Sequence, residues 1–419
     1  MIIQPISFGT NPCNAQSVAS SPLSSADVNQ QDAVKEEEEA QNGLYGTIFA
    51  TQEILFKILE EIPPSSIGKT ALACRAFAQV FTTKSYWNFR FVFDFPFSQR
   101  SVDDPLLDYR RLFARVQAIK KSPYQVSKDY FNGNLGAALI NSKGMIAGSS
   151  LANLRDPHRE FHTFNYYTCQ RSARFIIHWA TALSMQKETL YAGCANGEIM
   201  LWKLSQDSDN WINLSTIRAR AQKITALLEI GDHIIAGDRG GWLSAYNRYG
   251  EKCGAVLGHL GPVASVIQYQ DSFISADCDG YFYEWEITSQ SIQKRHSFKR
   301  NHKPITCLHS FHNMLLVASL DGIAIWQKTQ VGQWHQSCVL PKNPAVVSAF
   351  CSHENLVFAA DCLGSIRVWE YTRGQWERFD FDQKSNCKQS RIQAIFYSAE
   401  KHQLHCVFQD GEICMWDFN

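Results

Sequence analysis

The sequence predicts an all-β ring of small antiparallel sheets behind a short all-α region. The first observation is a repeat, because six segments end in a Gly, a few apolar residues and an aromatic residue. The second is a period of about 40 residues between those aromatics, the length that four short strands and their turns require. The third is a change in apolar spacing, from helical before residue 122 to strand-length apolar runs after residue 135.

Each repeat contains the parts of a four-stranded sheet. The intervals between the closing aromatics are 44, 39, 41, 43 and 47 residues. These aromatics are Trp202, Tyr246, Trp285, Trp326, Trp369 and Trp416. Counting back about 43 residues from Trp202 predicts one more repeat, which ends near residue 160 and takes two strands from GAALINSKGMIAGSS. The pattern therefore predicts seven sheets, and a ring of such sheets is a β-propeller.

The final repeat ends after its third predicted strand, and only three residues follow Trp416. A ring does not close if its first and last sheets keep open edges. The stretch SPYQVSKDYF, at residues 122–131, is placed to supply the missing fourth strand. The propeller is therefore predicted to span residues 123–419, with its two ends joined in one sheet.

The residues before the propeller form three predicted segments. Residues 1–45 are rich in Ser, Asn, Gln and Ala and carry the acidic run KEEEEA, which predicts a disordered tail. Residues 46–95 have apolar residues at helical spacing, in short helices that bury too little area to be stable alone. Residues 96–122 are a linker with one well-defined helix, which begins at Asp103 or Asp104 and carries one apolar stripe.

The repeats resemble WD repeats, in which four polar groups often connect the strands of each blade. One repeat has all four at the family's spacing: His259, Ser275, Asp279 and Trp285. The resemblance implies that Asp accepts from His, His from Ser, and Ser from the indole N–H, so each buried group is satisfied. Three of these residue types also imitate a hydrolase triad. The structural interpretation is favoured because the positions belong to the fold.

Residues 46–95 resemble an F-box. The family pattern of a Glu-Ile-Leu run, an Ile-Leu pair, a Leu, a Cys-Arg pair and a closing Trp occurs here in order, whereas Ala50-Thr51 replace the usual Leu-Pro start. The resemblance implies docking on a Skp-type adaptor, and through it on a cullin. The alternative is an ordinary helical hairpin packed on the next domain. The implied adaptor-binding residues are Glu53, Ile54, Leu55, Ile58, Leu59, Ile62, Leu72 and Trp87.

A protein that resembles both families is expected to be the substrate receptor of a Skp–cullin–F-box ubiquitin ligase. Its helices would dock on the adaptor, its propeller would bind a protein substrate, and other subunits would transfer ubiquitin. No nucleophile elbow, metal cluster, paired-carboxylate motif or phosphate loop occurs outside the fold-determining positions, so an enzyme with its own cofactor or metal is not expected. The alternative is a WD-repeat protein-interaction scaffold without a link to ubiquitin.

Charge differs between the two predicted faces of the propeller. The loops that enter the first strand of each repeat carry Arg and Lys and no carboxylate, whereas the turns between first and second strands, on the opposite face, carry Glu and Asp. Because guanidinium groups fit carboxylate and phosphate oxygens, the basic face is expected to bind an acidic or phosphorylated substrate segment. The alternative is that these charges are merely solvated. The candidate substrate-binding residues are Arg171, Arg174, Arg218, Arg220, Arg239, Lys299, Arg300 and Arg391.

Composition excludes several other classes of protein. The chain has 40 basic and 40 acidic residues, so a general affinity for nucleic acid is not expected. Neither a membrane-spanning apolar run nor a secretory signal occurs in the sequence. The 13 Cys include no Cys-x-x-Cys pair, which favours a reducing compartment and argues against a zinc site. The expected location is the cytoplasm, while the nucleus and export from a microbe into a host cell stay open.

Overall fold

The computed structural model describes residues 59, 61–63, 66–67, 81, 83–98, 104–120, 124–130, 135–140, 145–150, 160–165, 170–176, 180–186, 189–205, 211–288, 291–298, 303–341, 345–380 and 390–418. The chain divides into two compact units, Met1–Tyr86 and Trp87–Asn419. The division falls before residue 95, where the sequence places the end of the F-box-like segment. In the first unit, the rings of Phe81 and Tyr86 meet edge to face with centroids 5.0 Å apart.

Two described helices precede the strands. They are α1, Lys84–Asp94, and α2, Pro105–Lys120. Asp104, one of the two predicted caps, begins α2, because its carboxylate accepts the N–H groups of Leu106 and Leu107 at 3.0 and 3.3 Å. The predicted linker helix is therefore present.

The apolar stripe predicted for α2 is buried. Tyr109, Leu112, Val116 and Ile119 have almost no exposed surface. The ring of Trp87, from α1, lies 5.2 Å from the ring of Tyr109. In the second unit, the two helices thus pack on each other through aromatic side chains.

The described strands form seven four-stranded antiparallel sheets, numbered here in chain order. Sheet 1 contains β2 (Leu135–Ile140), β3 (Met145–Ser150), β4 (Glu160–Asn165) and β5 (Gln170–Ile176). Sheet 2 contains β6 (Ala180–Gln186), β7 (Thr189–Cys194), β8 (Glu198–Leu204) and β9 (Trp211–Arg218). Sheet 3 contains β10 (Ile224–Ile230), β11 (His233–Asp238), β12 (Trp242–Asn247) and β13 (Lys252–Leu257). Sheet 4 contains β14 (Val263–Tyr269), β15 (Ser272–Asp277), β16 (Phe282–Ile287) and β17 (Ile292–Ser297).

The remaining three sheets follow the same order, except for the origin of one strand. Sheet 5 contains β18 (Ile305–Phe311), β19 (Met314–Ser319), β20 (Gly322–Lys328) and β21 (Trp334–Leu340). Sheet 6 contains β22 (Val347–His353), β23 (Leu356–Asp361), β24 (Ile366–Thr372) and β25 (Gln375–Asp380). Sheet 7 contains β26 (Ile392–Ser398), β27 (Gln403–Phe408), β28 (Glu412–Asp417) and β1 (Tyr124–Tyr130).

Sheet 7 takes its outer strand from the beginning of the propeller. β1 pairs antiparallel with β28, and the register places Gln125 opposite Trp416. This is the pairing that a final repeat with three strands of its own requires, because it covers the edge that β28 would otherwise expose.

The sheets are arranged in a closed ring around their first strands. Each first strand contacts the first strand of the next sheet, and β26 of sheet 7 contacts β2 of sheet 1. The second strands β15, β19 and β23 are buried along their whole length, because neighbouring sheets cover both of their faces. The predicted fold class, a β-propeller, is confirmed.

The antiparallel order gives the ring two faces. The upper face carries the loops into each first strand and the turns between second and third strands. The lower face carries the turns between first and second strands and between third and fourth strands. Residues on the same face can contact one partner together, whereas residues on opposite faces cannot.

Candidate interaction surface

Aspartates shape three of the turns on the upper face. Asp238, Asp277 and Asp361 each end the second strand of their sheet. One carboxylate oxygen of each accepts two N–H groups of the following turn at 2.8–3.0 Å. These bonds fix the turn backbone, so the residues at the tips, including exposed Arg239 and Leu363, have a defined place on the surface.

A cleft of about 230 Å³ opens on the upper face between sheets 2 and 3. Its lining residues, which we call the basic cleft, are Asn196, Gly197, Glu198, Arg218, Ala219, Arg220 and Ala221. The Ala219 N–H donates to the Gly197 carbonyl oxygen at 3.1 Å, which holds the sheet 2 turn against the loop into sheet 3. The cleft therefore brings together two candidate substrate-binding residues, Arg218 and Arg220.

Gly197 makes this close approach possible. Its φ is +83°, and a Cβ at this position would lie 1.5 Å from the Arg220 carbonyl oxygen. A larger residue would meet both a strained backbone conformation and a backbone clash. The shape of the basic cleft thus depends on a glycine.

The Arg220 guanidinium is held by its neighbours. Its central carbon lies 4.0 Å from the ring centroid of Trp242, and its Nε lies 3.8 Å from Asp238 Oδ2. The side chain is still 36% exposed. A guanidinium stacked on an aromatic ring keeps in-plane N–H donors for a carboxylate or phosphate, so Arg220 is suited to bind an oxyanion.

Arg218 is the most exposed cation of the cleft. Its side chain is 91% exposed, and its Nε lies 3.8 Å from Glu198 Oε1. Glu198 also accepts a hydrogen bond from Asn196 Nδ2 at 2.8 Å. An exposed pair at such a distance stabilises the fold little, so Arg218 can turn toward a ligand at small cost.

Two more cations lie beside the cleft, in the same loop and the neighbouring turn. Lys223 precedes β10, and Arg239 follows β11; both are exposed. The Arg239 N–H donates to the Lys223 carbonyl oxygen at 2.9 Å, which joins their backbones. Among the described residues, neither side chain has an ion-pair partner.

The structure places the other predicted cations differently. Arg171 and Arg174 lie within strand β5, opposite Phe164 and His162, so their placement in a loop was wrong. The outer strand of a sheet can be polar along its length, and its sequence then looks like a loop. Arg391 does lie on the upper face, exposed, directly before β26. Lys299 and Arg300 fall outside the described residues.

The upper face is less uniformly basic than the sequence predicts. The described parts of the loops into first strands hold no carboxylate, but the turns between second and third strands add exposed Asp279 and Asp321 to the same face. Such turns favour Asp because its short carboxylate bonds to nearby N–H groups. Positive charge is therefore grouped at the basic cleft and its two neighbours rather than spread over the whole face.

Carboxylates on the lower face have partners. Asp232 lies 3.8 Å from Arg248. Asp271 accepts a hydrogen bond from Arg295 at 3.3 Å, which holds the pKa of this carboxyl below its usual value. Glu229 accepts a hydrogen bond from a tyrosine of sheet 2 at 3.1 Å. Asp232, Asp271 and Glu229 of the predicted acidic turns thus serve local pairing, and Glu188 of another such turn lies outside the described residues.

The helices of the second unit attach to the lower face at sheet 6. The Asp94 carboxylate, at the end of α1, accepts hydrogen bonds from the Tyr109 hydroxyl at 2.6 Å and from Arg373 Nε at 2.9 Å. It also forms an ion pair with Arg90, whose Nε lies 2.6 Å away. Arg373 belongs to the turn between β24 and β25. Burial, and then the Asp94 charge, raise the pKa of Tyr109, so this hydroxyl stays a donor.

Further contacts between the helices and sheet 6 add to this attachment. The Asp94 carbonyl oxygen accepts hydrogen bonds from Asn355 Nδ2 at 2.8 Å and from the Thr372 hydroxyl at 3.0 Å. Arg115 of α2 donates to Glu354 at 2.9 Å. The described helices therefore contact the face opposite the basic cleft.

The polar chain predicted for sheet 4 is present, with one correction. Ser275 Oγ accepts from the Trp285 indole N–H at 2.7 Å and lies 2.6 Å from His259 Nε2. His259 Nδ1 lies 3.0 Å from Asp277 Oδ2, so the partner is Asp277 and not Asp279. Asp277 ends β15 and is buried, whereas Asp279 lies two residues further along, on the exposed turn.

The geometry of this chain fits a structural role. His259, Ser275 and Asp277 are each no more than 2% exposed. A substrate could not reach the Ser275 oxygen without separating strands, and that oxygen already accepts an indole N–H. The likeness to a hydrolase triad is limited to the residue types.

Five of the eight implied adaptor-binding residues lie outside the described residues, namely Glu53, Ile54, Leu55, Ile58 and Leu72. Leu59 is buried, Ile62 is partly exposed, and Trp87 packs on Tyr109.

The described part of the chain contains no group of three or more His, Cys, Asp or Glu side chains that could hold a metal ion. None of its helices has the length and apolar character needed to cross a membrane.

Sequence reasoning missed the exposed leucines of the upper face. Leu257, Leu260, Leu320 and Leu363 are all more than one-third exposed. A signal was available, because three of them adjoin a turn Gly or Asp, where polar residues are usual.

Comparison with known sequences shows a weak similarity to a curated protein. No family model matches the chain. Telomerase protein component 1 of Rattus norvegicus is 19% identical over 225 residues, which cover 50% of this chain and 8% of that protein. The chain thus spans less than a tenth of the length of the curated relative that it matches.

Solved structures show the same architecture at low sequence identity. A chain in the crystal structure of a mitotic checkpoint complex has a TM-score of 0.59 and 12% identity, covering 70% of this chain and 94% of that one. The computationally designed protein Ika8 has a TM-score of 0.50 and 16% identity, covering 69% of this chain and 98% of that one. These likenesses support a WD-repeat-like β-propeller fold.

Proposed function

We propose that this protein is the substrate-recognition subunit of a Skp–cullin–F-box E3 ubiquitin ligase. The F-box-like segment at 46–95 binds a Skp-type adaptor, and through it a cullin. The upper face of the propeller binds a protein substrate. The protein works in the cytoplasm and is not itself an enzyme.

One observation carries this proposal: the described helices and the basic cleft use opposite faces of the ring. Asp94 and Arg115 attach the helices to the lower face of sheet 6. Arg218 and Arg220 line a solvent-exposed cleft on the upper face. A receptor needs this separation, because the surface that binds the substrate has to differ from the part that joins the ligase.

The contribution of such a receptor to the reaction is proximity. A substrate bound to the propeller shares one complex with the subunits that carry ubiquitin, so the effective concentration of its lysines rises. This role needs neither a nucleophile nor a metal ion from the receptor. It agrees with the buried, structural use of His259 and Ser275.

Adaptor binding is the direct test. We expect Leu55→Glu together with Ile58→Glu to weaken co-purification of the full chain with a Skp-type adaptor by at least about tenfold, because a carboxylate in an apolar interface is poorly solvated. Leu107→Glu is the matched control. Leu107 is an exposed leucine of α2, and its replacement should leave adaptor binding unchanged.

Failure of the wild-type chain to bind the adaptor, while circular dichroism shows a folded β-rich protein, would contradict the ligase proposal. The protein would then be a propeller scaffold without a link to ubiquitin. If the variant with Leu55→Glu and Ile58→Glu bound the adaptor as well as the wild type does, the assignment of Leu55 and Ile58 as docking residues would be contradicted.

A further inference from the structure

We infer that the lower face carries a binding site for a small organic oxyanion, a molecule that has a carboxylate or phosphate group on an apolar body. The site is a cleft of about 510 Å³ between α2 and sheet 7. It lies on the face opposite the basic cleft, and its assignment does not depend on the proposed function. Its lining residues, which we call the helix cleft, are Arg111, Ala114, Arg115, Ala118, His402 and Phe418.

Small side chains on one face of α2 leave room for a ligand. Ala114 and Ala118 are four residues apart, so they lie one above the other on the helix, beside the two arginines. Phe418, only 6% exposed, forms an apolar wall on the propeller side. A volume of this size is in the range of pockets that hold small molecules.

Two arginines of α2 supply positive charge. Arg111 is exposed and has no ion-pair partner among the described residues. Arg115 is held in place, because it donates to Glu354 Oε1 at 2.9 Å and lies 3.1 Å from His353 Nε2. Burial, and then the Arg115 charge, lower the pKa of His353 to about 4, so the neutral ring can accept this bond. Both contacts use Arg115 Nη1, which leaves the N–H groups of Nε and Nη2 for a ligand.

Two buried polar atoms next to the cleft, Tyr397 Oη and His402 Nδ1, have no hydrogen-bond partner among the described residues. Tyr397 is 4% exposed, and its ring lies 4.7 Å from that of His353 and 5.9 Å from that of Phe418. Burial raises the pKa of Tyr397 and the Arg115 charge lowers it, whereas burial and then the Arg115 charge lower the pKa of His402. The guanidinium is therefore close to both groups. Such atoms are costly until a polar ligand satisfies them.

The carboxylates that act on these groups already have partners. Glu354 bonds to Arg115, and Asp417 accepts a hydrogen bond from Gln403 Nε2 at 3.1 Å. Arg111 has no such carboxylate in the described part of the chain. A bound oxyanion would thus gain an ion pair that the free protein lacks.

The combination of charge and apolar surface defines the class of ligand. Guanidinium groups fit the oxygens of both carboxylate and phosphate, so the charge chemistry is the same for the two sources. An inorganic anion would leave the wall at Phe418 uncovered, and an uncharged aromatic molecule would leave Arg111 unused. A ligand with both parts would contact α2 and the turn between β26 and β27 together. Its binding would therefore stabilise the attachment of the helix to the propeller.

Binding of four simple molecules to the full chain, measured by ligand-observed NMR, is the direct test. They are phenyl phosphate, phenylacetate, inorganic phosphate and benzyl alcohol. We expect phenyl phosphate or phenylacetate to bind at least about tenfold more tightly than inorganic phosphate and benzyl alcohol, because each of the latter two lacks one half of the ligand. Tighter binding of phenyl phosphate identifies phosphate as the source, and tighter binding of phenylacetate identifies carboxylate.

Variants of the full chain locate the binding. Arg111→Glu should weaken the affinity for the preferred molecule by about tenfold or more, because it replaces a cation of the cleft by an anion. Arg110→Glu is the matched control, since Arg110 is also an exposed arginine of α2 but does not line the cleft. Ala114→Phe, at an exposed position, should block the cleft and weaken binding without unfolding the protein. The preferred molecule should also slow hydrogen exchange of the α2 amides.

Four results would overturn the inference. These are no binding of phenyl phosphate or phenylacetate, equal binding of benzyl alcohol, equal effects of Arg110→Glu and Arg111→Glu, and unchanged binding by Ala114→Phe. Adaptor co-purification is a separate measurement. A chain that binds the adaptor but none of these molecules loses only the helix cleft, and a chain that binds phenyl phosphate but ignores the adaptor loses only the ligase role.

Discussion

Sheets 4 and 6 have a tryptophan at the same position, but the hydrogen bonding of its indole N–H differs between them. In sheet 4 the Trp285 N–H donates to Ser275, ten residues earlier. In sheet 6 the residue ten positions before Trp369 is Ala359, and the Trp369 N–H has no hydrogen-bond partner among the described residues. Both indoles are only 1% exposed and pack in apolar clusters.

The comparison shows that the polar chain is not needed to build a sheet of this ring. Sheet 6 keeps the strand pairing and the buried tryptophan with an alanine where sheet 4 has a serine. Apolar packing therefore gives each sheet its place, and the polar chain adds stability to one of them. Three substitutions test this difference.

The largest effect is expected from Ser275→Ala. It removes the acceptor for the Trp285 N–H and the partner of His259 together, and both groups are buried. We expect the free energy of unfolding to fall by about 2–4 kcal/mol, measured by urea denaturation of the full chain. Ser337→Ala is the control, since its hydroxyl makes one hydrogen bond to the Ile325 carbonyl oxygen and its loss should cost about 1 kcal/mol. Equal losses of unfolding free energy for Ser275→Ala and Ser337→Ala would mean that the polar chain in sheet 4 stabilises the fold no more than a single hydrogen bond does.

The second-largest effect on stability is expected from Asp277→Asn, with Asp279→Asn as its control. Asp277→Asn removes the charge that accepts from His259, so we expect a loss of about 1–2 kcal/mol in the same measurement. Asp279→Asn alters an exposed turn residue and should change stability by less than about 0.5 kcal/mol. A larger loss of stability for Asp279→Asn than for Asp277→Asn would contradict the assignment of Asp277 as the partner of His259.

The smallest effect, and the only stabilising one, is expected from Ala359→Ser. A hydroxyl at this position would give the Trp369 indole the acceptor that Ser275 gives Trp285, so the free energy of unfolding should rise by about 0.5–1 kcal/mol. Ala360→Ser is the matched control. Ala360 is also buried in β23, but successive side chains point to opposite faces of a strand, so its hydroxyl should destabilise. Destabilisation by both variants would mean that sheet 6 lacks room for the sheet 4 arrangement.

The fold followed from the sequence where local chemistry repeats. The closing aromatics, from Trp202 to Trp416, mark a period of the length that a four-stranded sheet requires, and Asp104 marks the beginning of α2 through a short-range bond. These signals depend on a few neighbouring residues, so no tertiary information is needed to interpret them.

The site was harder to predict because it depends on contacts between separate repeats. Arg171 looked like a loop residue, since nothing in its neighbourhood shows that β5 pairs with β4. Asp279 has the family spacing, yet the carboxylate that lies 3.0 Å from His259 Nδ1 is that of Asp277. Leu257 lies opposite Trp242, on which Arg220 stacks, and this grouping appears only when β12 and β13 are paired.

The pairing of β1 with β28 also has a consequence for how the protein is made. Tyr130 pairs with Glu412, about 280 residues later, so a ribosome adding about 5–20 residues per second releases the first strand tens of seconds before its partner exists. Throughout that interval the nascent chain exposes an unpaired strand capable of joining the wrong neighbour. Closure of the ring therefore has to wait until β28 has been made, and the nascent chain has reason to be escorted by chaperones until then.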